Sequence, residues 1–181
     1  MNSFQKLGLD DNLIKAIADL GFETPSEVQE KSIPRLLEQE SDLVALAQTG
    51  TGKTAAFGLP MLNQIDVSSK NVQGLVICPT RELCLQISKD IEKYATNVSG
   101  MKITAVYGGT DIIKQIKTIE RGVHIVVATP GRLVDLIKRK KVNISKIKTV
   151  VLDEADEMLN MGFKEDIDSI LEVTPKEKSV W

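Results

Sequence analysis

Residues 47–54 read AQTGTGKT and stand between an apolar run, LVALA (43–47), and a helical pattern, AAFGLPML (55–62). A turn of this kind is suited to a phosphate chain. Gly50 and Gly52 let backbone N–H groups point inward, and the positive end of the following helix faces the anion. Lys53 would reach the β- and γ-phosphates of a nucleotide and the Thr54 hydroxyl would coordinate Mg²⁺, while Gln48, Thr49 and Thr51 complete the cradle. The general pattern G-x-x-x-x-G-K-[ST] has glycine first, where this chain has Ala47.

A second stretch, VVLDEADEM (150–158), crowds carboxylates against the end of an apolar run. Neighbouring carboxylates repel unless a cation, a hydrogen-bond donor or water takes up the charge, so the cluster asks for a partner. Beside a phosphate loop that partner is Mg²⁺: Asp153 would hold the ion, and Glu154 would orient and deprotonate an attacking water. Taken alone, the same residues read as an acidic first turn of a helix, which the macrodipole favours.

These side chains need a scaffold that brings positions so far apart in sequence to one place. Short apolar runs, LVALA, GLVICP (74–79), ITAVYG (103–108), HIVVATP (124–130) and TVVLD (149–153), alternate with segments of helical periodicity. Leu83, Ile87, Ile91 and Tyr94 make one stripe, Ile112, Ile113, Ile116 and Ile119 another, and Leu133, Leu136 and Ile137 a third; each is expected to be core. Such alternation predicts an α/β fold, a mainly parallel β-sheet flanked by helices on both faces. Upstream, Leu13, Ile14, Ile17 and Leu20 predict a helix, and TPSEVQEKSIPRLLE (24–38) a second one with a threonine cap and proline in its first turn.

Composition sets the remaining bounds. At 181 residues and 42% hydrophobic content the chain suits one domain, and a net charge of −2 places any nucleic-acid contact on local features, not on a global field. No apolar stretch approaches the roughly 20 residues that span a bilayer, which, with the absence of a secretory pattern, leads to the expectation of a cytoplasmic protein with no membrane partner. Cys78 and Cys84 read as reduced structural thiols, His124 as a packing residue, and KRKK (138–141) as a solvated helix end.

AQTGTGKT together with DEAD, Asp153 to Asp156, resembles the DEAD-box ATP-dependent RNA helicases, and the likeness extends over nearly the whole chain. The resemblance implies an N-terminal RecA-like P-loop NTPase domain with ATP and Mg²⁺ as cofactors, in which Lys53, Asp153 and Glu154 are catalytic and Thr54 and Asp153 hold the metal. GFETPSEVQ (21–29) resembles the family's adenine-sensing motif. Phe22 would then stack on the base and Gln29 bond its edge, with Thr24 in the same motif and Phe4 as the isolated upstream aromatic. An amide can donate and accept in one plane and so tell adenine from guanine. Read without the family, Phe22 is a packing residue and Gln29 an exposed helix position.

Three further stretches match RNA-facing motifs: Pro79, Thr80 and Arg81; Gly108 and Gly109; and Thr129, Pro130, Gly131 and Arg132. Arg81 and Arg132 offer bidentate contacts to phosphate, so RNA would be gripped by its backbone, with little base specificity. Thr80 and Thr129 also read as helix caps.

By the resemblance, residues 1–40 carry the adenine-sensing helices and 41–181 the α/β core. The chain stops just short of a Ser-Ala-Thr motif, and the C-terminal RecA-like domain is absent. The isolated domain is expected to bind nucleotide, to turn it over poorly, and to be a monomer open to association along the edge strand begun by Ser179–Trp181. Two other readings are weighed. One is another P-loop NTPase, against which stands the lack of an Asn-Lys-x-Asp guanine motif; the other is an RNA-binding chaperone with a vestigial ATP site, against which stand intact Lys53, Thr54, Asp153 and Glu154.

Overall fold

The computed structural model describes residues 3–38, 42–48 and 50–181. Five strands, β1 (Gly74–Ile77), β2 (Ile103–Val106), β3 (Ile125–Ala128), β4 (Thr149–Leu152) and β5 (Ser179–Val180), form one sheet in the order β2-β3-β1-β4-β5. All four pairings are parallel. Strands buried on both faces read as unbroken apolar runs, and IVVA of β3 is buried at every residue.

Register decides which core each side chain joins. Val76 lies opposite Val127 on one side and Val151 on the other, and these point to the face covered by α1 (Asp11–Asp19), α3 (Lys53–Asn63) and α4 (Arg81–Tyr94). Leu75, Val126 and Val150, one residue earlier in each strand, point to the opposite face. There they meet Ile119 of α5 (Ile112–Glu120), Leu133 and Leu136 of α6 (Pro130–Lys138), Met158 of α7 (Ala155–Asn160) and Ile170 of α8 (Lys164–Glu172). The expected helices on both faces are therefore present.

Helix α3 is buried at every position from Ala55 to Leu62, so it is a core helix against which the amphipathic α2 (Glu27–Leu37) and α4 pack. It also explains why β1 opens with glycine: a Cβ on Gly74 would stand 2.7 Å from the Met61 sulfur.

Three expectations are corrected. LVALA is not a strand. Leu43 N–H donates to Val180 O at 3.0 Å, but β5 is two residues long and gives no further ladder, so Val44 and Leu46 are 87% and 98% exposed. A strand is made by its neighbour's backbone, and apolar sequence alone cannot replace it. Second, α2 is capped by Ser26, not Thr24, and its first residue is Glu27, because Ser26 and Gln29 close a reciprocal capping box. Third, the α5 stripe is only partly core: α5 covers the edge strand β2, Ile119 alone is buried and Ile113 is 58% exposed.

His124 is a packing residue, as expected. Its Nδ1 accepts the Lys102 N–H at 3.0 Å and its Nε2 bonds the Ser69 carbonyl at 2.9 Å. Cys78 and Cys84 are free, buried thiols, and Cys84 and burial together push the Cys78 thiol far above its ordinary range. Lys138 ends α6 and residues 139–141 follow it, all four exposed, with Arg139 paired with Asp135 at 2.7 Å. No helix among the described residues is long and apolar enough to cross a membrane.

Candidate functional site

The strand register sets four loops in one row. Ile77 pairs with Ala128 and with Leu152, and Val106 pairs with Ala128, so all four strands end at the same level. The residues that follow, Tyr107–Thr110 after β2, Thr129–Arg132 after β3, Cys78–Arg81 after β1 and Asp153–Glu154 after β4, leave the sheet along its C-terminal edge. Ligands of open parallel sheets bind along that edge. Neighbouring strands lie about 4.8 Å apart, so the Gly108–Gly109 turn and Asp153 are separated by three strand steps, roughly 14 Å.

At one end of the row stands the glycine loop. Gly50 and Gly52 have φ of 80° and 88°, and Gly52 is the N-cap of α3, so Lys53 and Thr54 are the first two residues of that helix. The loop is tied to α2 through two side chains. Gln29, 3% exposed, donates from Nε2 to the Gly52 carbonyl at 3.1 Å while its Oε1 accepts the Ser26 N–H at 2.9 Å. Ser26 Oγ donates to the Thr51 carbonyl at 2.8 Å, and Thr51 Oγ1 to the Gln48 carbonyl at 2.7 Å. The φ of 88° favours glycine at position 52, and a Cβ there would displace the Gln29 amide from its place against the loop. Thr49 lies outside the described residues.

A cleft of about 950 Å³ joins this loop to the carboxylates, with Lys53, Thr80, Asp153 and Glu154 in its wall. Burial raises the Asp153 carboxyl above its usual range, Lys53 pulls it back down, and the neighbouring Glu154 charge adds a smaller push upward. A hydroxyl at Thr54 and a carboxylate at Asp153 are hard oxygen donors, the kind Mg²⁺ takes, and burial of the carboxylate leaves a charge that a cation would offset. Glu154 sits in the left-handed region, φ 53° and ψ 48°, as the N-cap of α7. A branched-off carboxylate side chain in that conformation costs energy, and such strain gathers at functional sites.

The aromatic residues expected at the base are not in the cleft wall. Phe4 is fully buried, its ring 6.0 Å from that of Phe22, and Phe22 in turn meets Tyr94 edge-on at 5.9 Å. Phe22 is half-buried, and Thr24 is exposed.

At the other end of the row the three remaining loops are bonded to one another. Thr80 caps α4, accepting the Leu83 N–H at 3.2 Å, and exposed Arg81 lies over the Tyr107 ring at 5.0 Å. Pro79 and Pro130 are buried, and Thr129 caps α6 through its backbone, with Pro130 in the first turn. Gly108, Gly109 and Gly131 are exposed. Arg132 donates from Nη1 to Gln115 Oε1 at 2.9 Å and from Nη2 to the Thr110 carbonyl at 3.1 Å. Ser26, Tyr107 and Gln115 were not among the expected site residues. Ser26 was legible as the serine three places before Gln29, but nothing local marks Gln115.

The DEAD/DEAH box helicase model matches residues 26–181. The chain belongs to the DEAD/DEAH box helicase family. It is 49% identical over 178 residues to the ATP-dependent RNA helicase CshA of Listeria monocytogenes, covering 98% of this chain and 34% of that protein. The DEAD-box ATP-dependent RNA helicase CshA of Geobacillus kaustophilus is 47% identical over 178 residues, 98% of this chain and 38% of the relative. The chain thus spans little more than a third of the length of these curated DEAD-box relatives. Among solved structures, a DEAD box protein from the hyperthermophile Methanococcus jannaschii superposes with a TM-score of 0.94 at 42% identity, covering 98% of this chain and 48% of that one. Dbp5 of Saccharomyces cerevisiae bound to RNA and ADP BeF3 gives 0.89 at 31% identity, covering 99% and 45%. The fold is the RecA-like domain of DEAD-box proteins.

Proposed function

We propose that residues 1–181 are the N-terminal half of an ATP-dependent RNA helicase, with the adenine-sensing helices in 1–40 and the nucleotide- and RNA-binding core in 41–181. A second RecA-like domain of the full-length protein would close on it. In this reading the Gly50–Thr54 backbone cradles the triphosphate and Lys53 neutralises its terminal oxygens. Thr54 and Asp153 hold Mg²⁺, which when bound offsets the charge of the β- and γ-phosphates. Glu154 takes the proton of the attacking water. Phe22 and Gln29 present the adenine subsite, and Pro79–Arg81, Gly108–Gly109 and Thr129–Arg132 form the RNA-backbone-binding surface from neighbouring loops. The domain works as a cytoplasmic protein in contact with RNA and its second domain, with no membrane partner.

One observation carries the reading: Lys53, Asp153 and Glu154 line one cleft, and the matched register of β4, β1, β3 and β2 sets the three loops proposed for RNA in a row along the same edge of the sheet. The test is RNA-stimulated ATP hydrolysis by the full-length protein, with Lys53→Ala and Glu154→Gln beside it. Lys53→Ala should lose nucleotide, whereas Glu154→Gln should hold ATP and Mg²⁺ without turnover. Preference for GTP, or full turnover by Glu154→Gln, would overturn the reading.

A further inference from the structure

Gln115 lies on α5, away from the glycine loop and the carboxylates, yet its amide is the hub of the far end of the row. Nε2 donates to the Tyr107 carbonyl at 3.1 Å and to Thr110 Oγ1 at 3.0 Å, while Oε1 accepts from Arg132 Nη1 at 2.9 Å. Arg132 returns to the same turn through Nη2 and the Thr110 carbonyl at 3.1 Å. One planar amide and one guanidinium therefore staple the Tyr107–Thr110 turn to the first turn of α6. Tyr107, whose carbonyl is held this way, carries the Arg81 guanidinium over its ring.

This arrangement divides the two arginines. Arg81 is exposed and, among the described residues, its charge meets a ring face and no salt-bridging carboxylate, so its donors are open to an anion. Arg132 is half-buried, with a donor from each terminal nitrogen given to protein acceptors. We infer that Gln115 is a positioning residue for RNA-backbone binding, acting through Arg132 as a brace that holds the Gly108–Gly109 turn and Arg81 at the spacing of successive phosphates. The inference rests on the RNA reading of these loops proposed above. Arg132 then serves by the shape of its guanidinium fork, not by its charge, and lysine cannot replace it.

The test is fluorescence anisotropy of the chain with a fluorescein-labelled ten-nucleotide oligouridylate over a range of salt, with fluorescent ADP as a second ligand, below the melting temperature of every variant. Arg81→Gln should weaken RNA binding and lower the salt slope by about 0.7, the value for one phosphate contact on a single strand. Gln115→Ala and Arg132→Lys should each weaken RNA binding about 5- to 10-fold, as loss of a hydrogen-bonded brace does, with ADP affinity unchanged. The double variant should be no weaker than either alone, because the two side chains act as one unit. A fold defect would instead lower both ligands together, and that result overturns the inference. It is also overturned if Arg132→Lys binds like wild type while Arg132→Gln loses about 0.7 of salt slope, since Arg132 would then touch phosphate itself. Wild-type RNA binding with no effect of Gln115→Ala sinks the inference alone. No RNA binding by the wild-type chain even at about 50 mM salt sinks it together with the RNA reading.

Discussion

Gln29 donates to the carbonyl of Gly52 at 3.1 Å, so one buried amide joins the N-terminus of α2 to the turn that opens α3. The same amide accepts the Ser26 N–H, so the helix cap and the glycine loop share one side chain. The start of α2 and the glycine loop are thereby linked without any ligand in between.

Gln29→Glu turns the donor facing Gly52 into an acceptor and sets two oxygens against each other. The expected outcome is a loss of about 1–3 kcal/mol in stability and at least about a tenfold loss in adenine-nucleotide affinity. Thermal denaturation and a fluorescent ADP titration measure the two. Gly52→Ala should act in the same direction, since its Cβ meets Gln29 Nε2 and its φ of 88° disfavours any side chain. A stable Gln29→Glu protein with wild-type affinity would show that the loop holds its shape unaided.

Glu154 in the left-handed region predicts a trade of stability for chemistry. Glu154→Gly removes the Cβ conflict and should melt above Glu154→Gln by an amount equivalent to about 0.5–1 kcal/mol, after the extra freedom of glycine in the unfolded chain is deducted. Neither variant should support ATP turnover in the full-length protein. Equal melting temperatures would mean that the backbone there stores no strain.

Phe22 has two surfaces to lose. Its contacts with Phe4 and Tyr94 predict that Phe22→Ala costs on the order of 2 kcal/mol of stability, less than a fully buried phenylalanine would. If its free edge also stacks on adenine, ADP binding should weaken while pyrophosphate binding stays nearly constant, both read calorimetrically well below the melting temperature. Parallel losses for the two ligands would assign Phe22 to the core alone.

Burial, with a smaller contribution from Asp90, pushes the Tyr94 phenol up to about 12 from 10.0. The folded state holds this proton more tightly than the unfolded one. The associated stability is complete below pH 10 and is lost as pH rises through about 12. Tyr94→Phe should therefore be less steeply destabilised than wild type across that window, by a total on the order of 2 kcal/mol, in denaturant titrations at stepped pH. Identical slopes would show that the Tyr94 hydroxyl is not withheld from water.

What the sequence determined by itself were the features made by neighbours along the chain. Four apolar runs bounded by turns became β1 to β4; in β1 and β3 every residue is buried, and a run buried on both faces needs no alternation. Lys53 following two glycines at the start of a helix, and Asp153 at the end of a strand, were likewise local. Tertiary structure decided whatever needed a distant partner. LVALA has the composition of a strand, yet among the described residues its backbone pairs with Val180 alone and forms no ladder. The α5 stripe is periodic, yet it lies over an edge strand that leaves Ile113 in water. Arg132 bonds Gln115 of α5, a pairing 17 residues apart that no local pattern announces. Hydrogen-bond partners of this kind are set by how parallel strands of matched register align their following loops, and that alignment exists only once the sheet has formed.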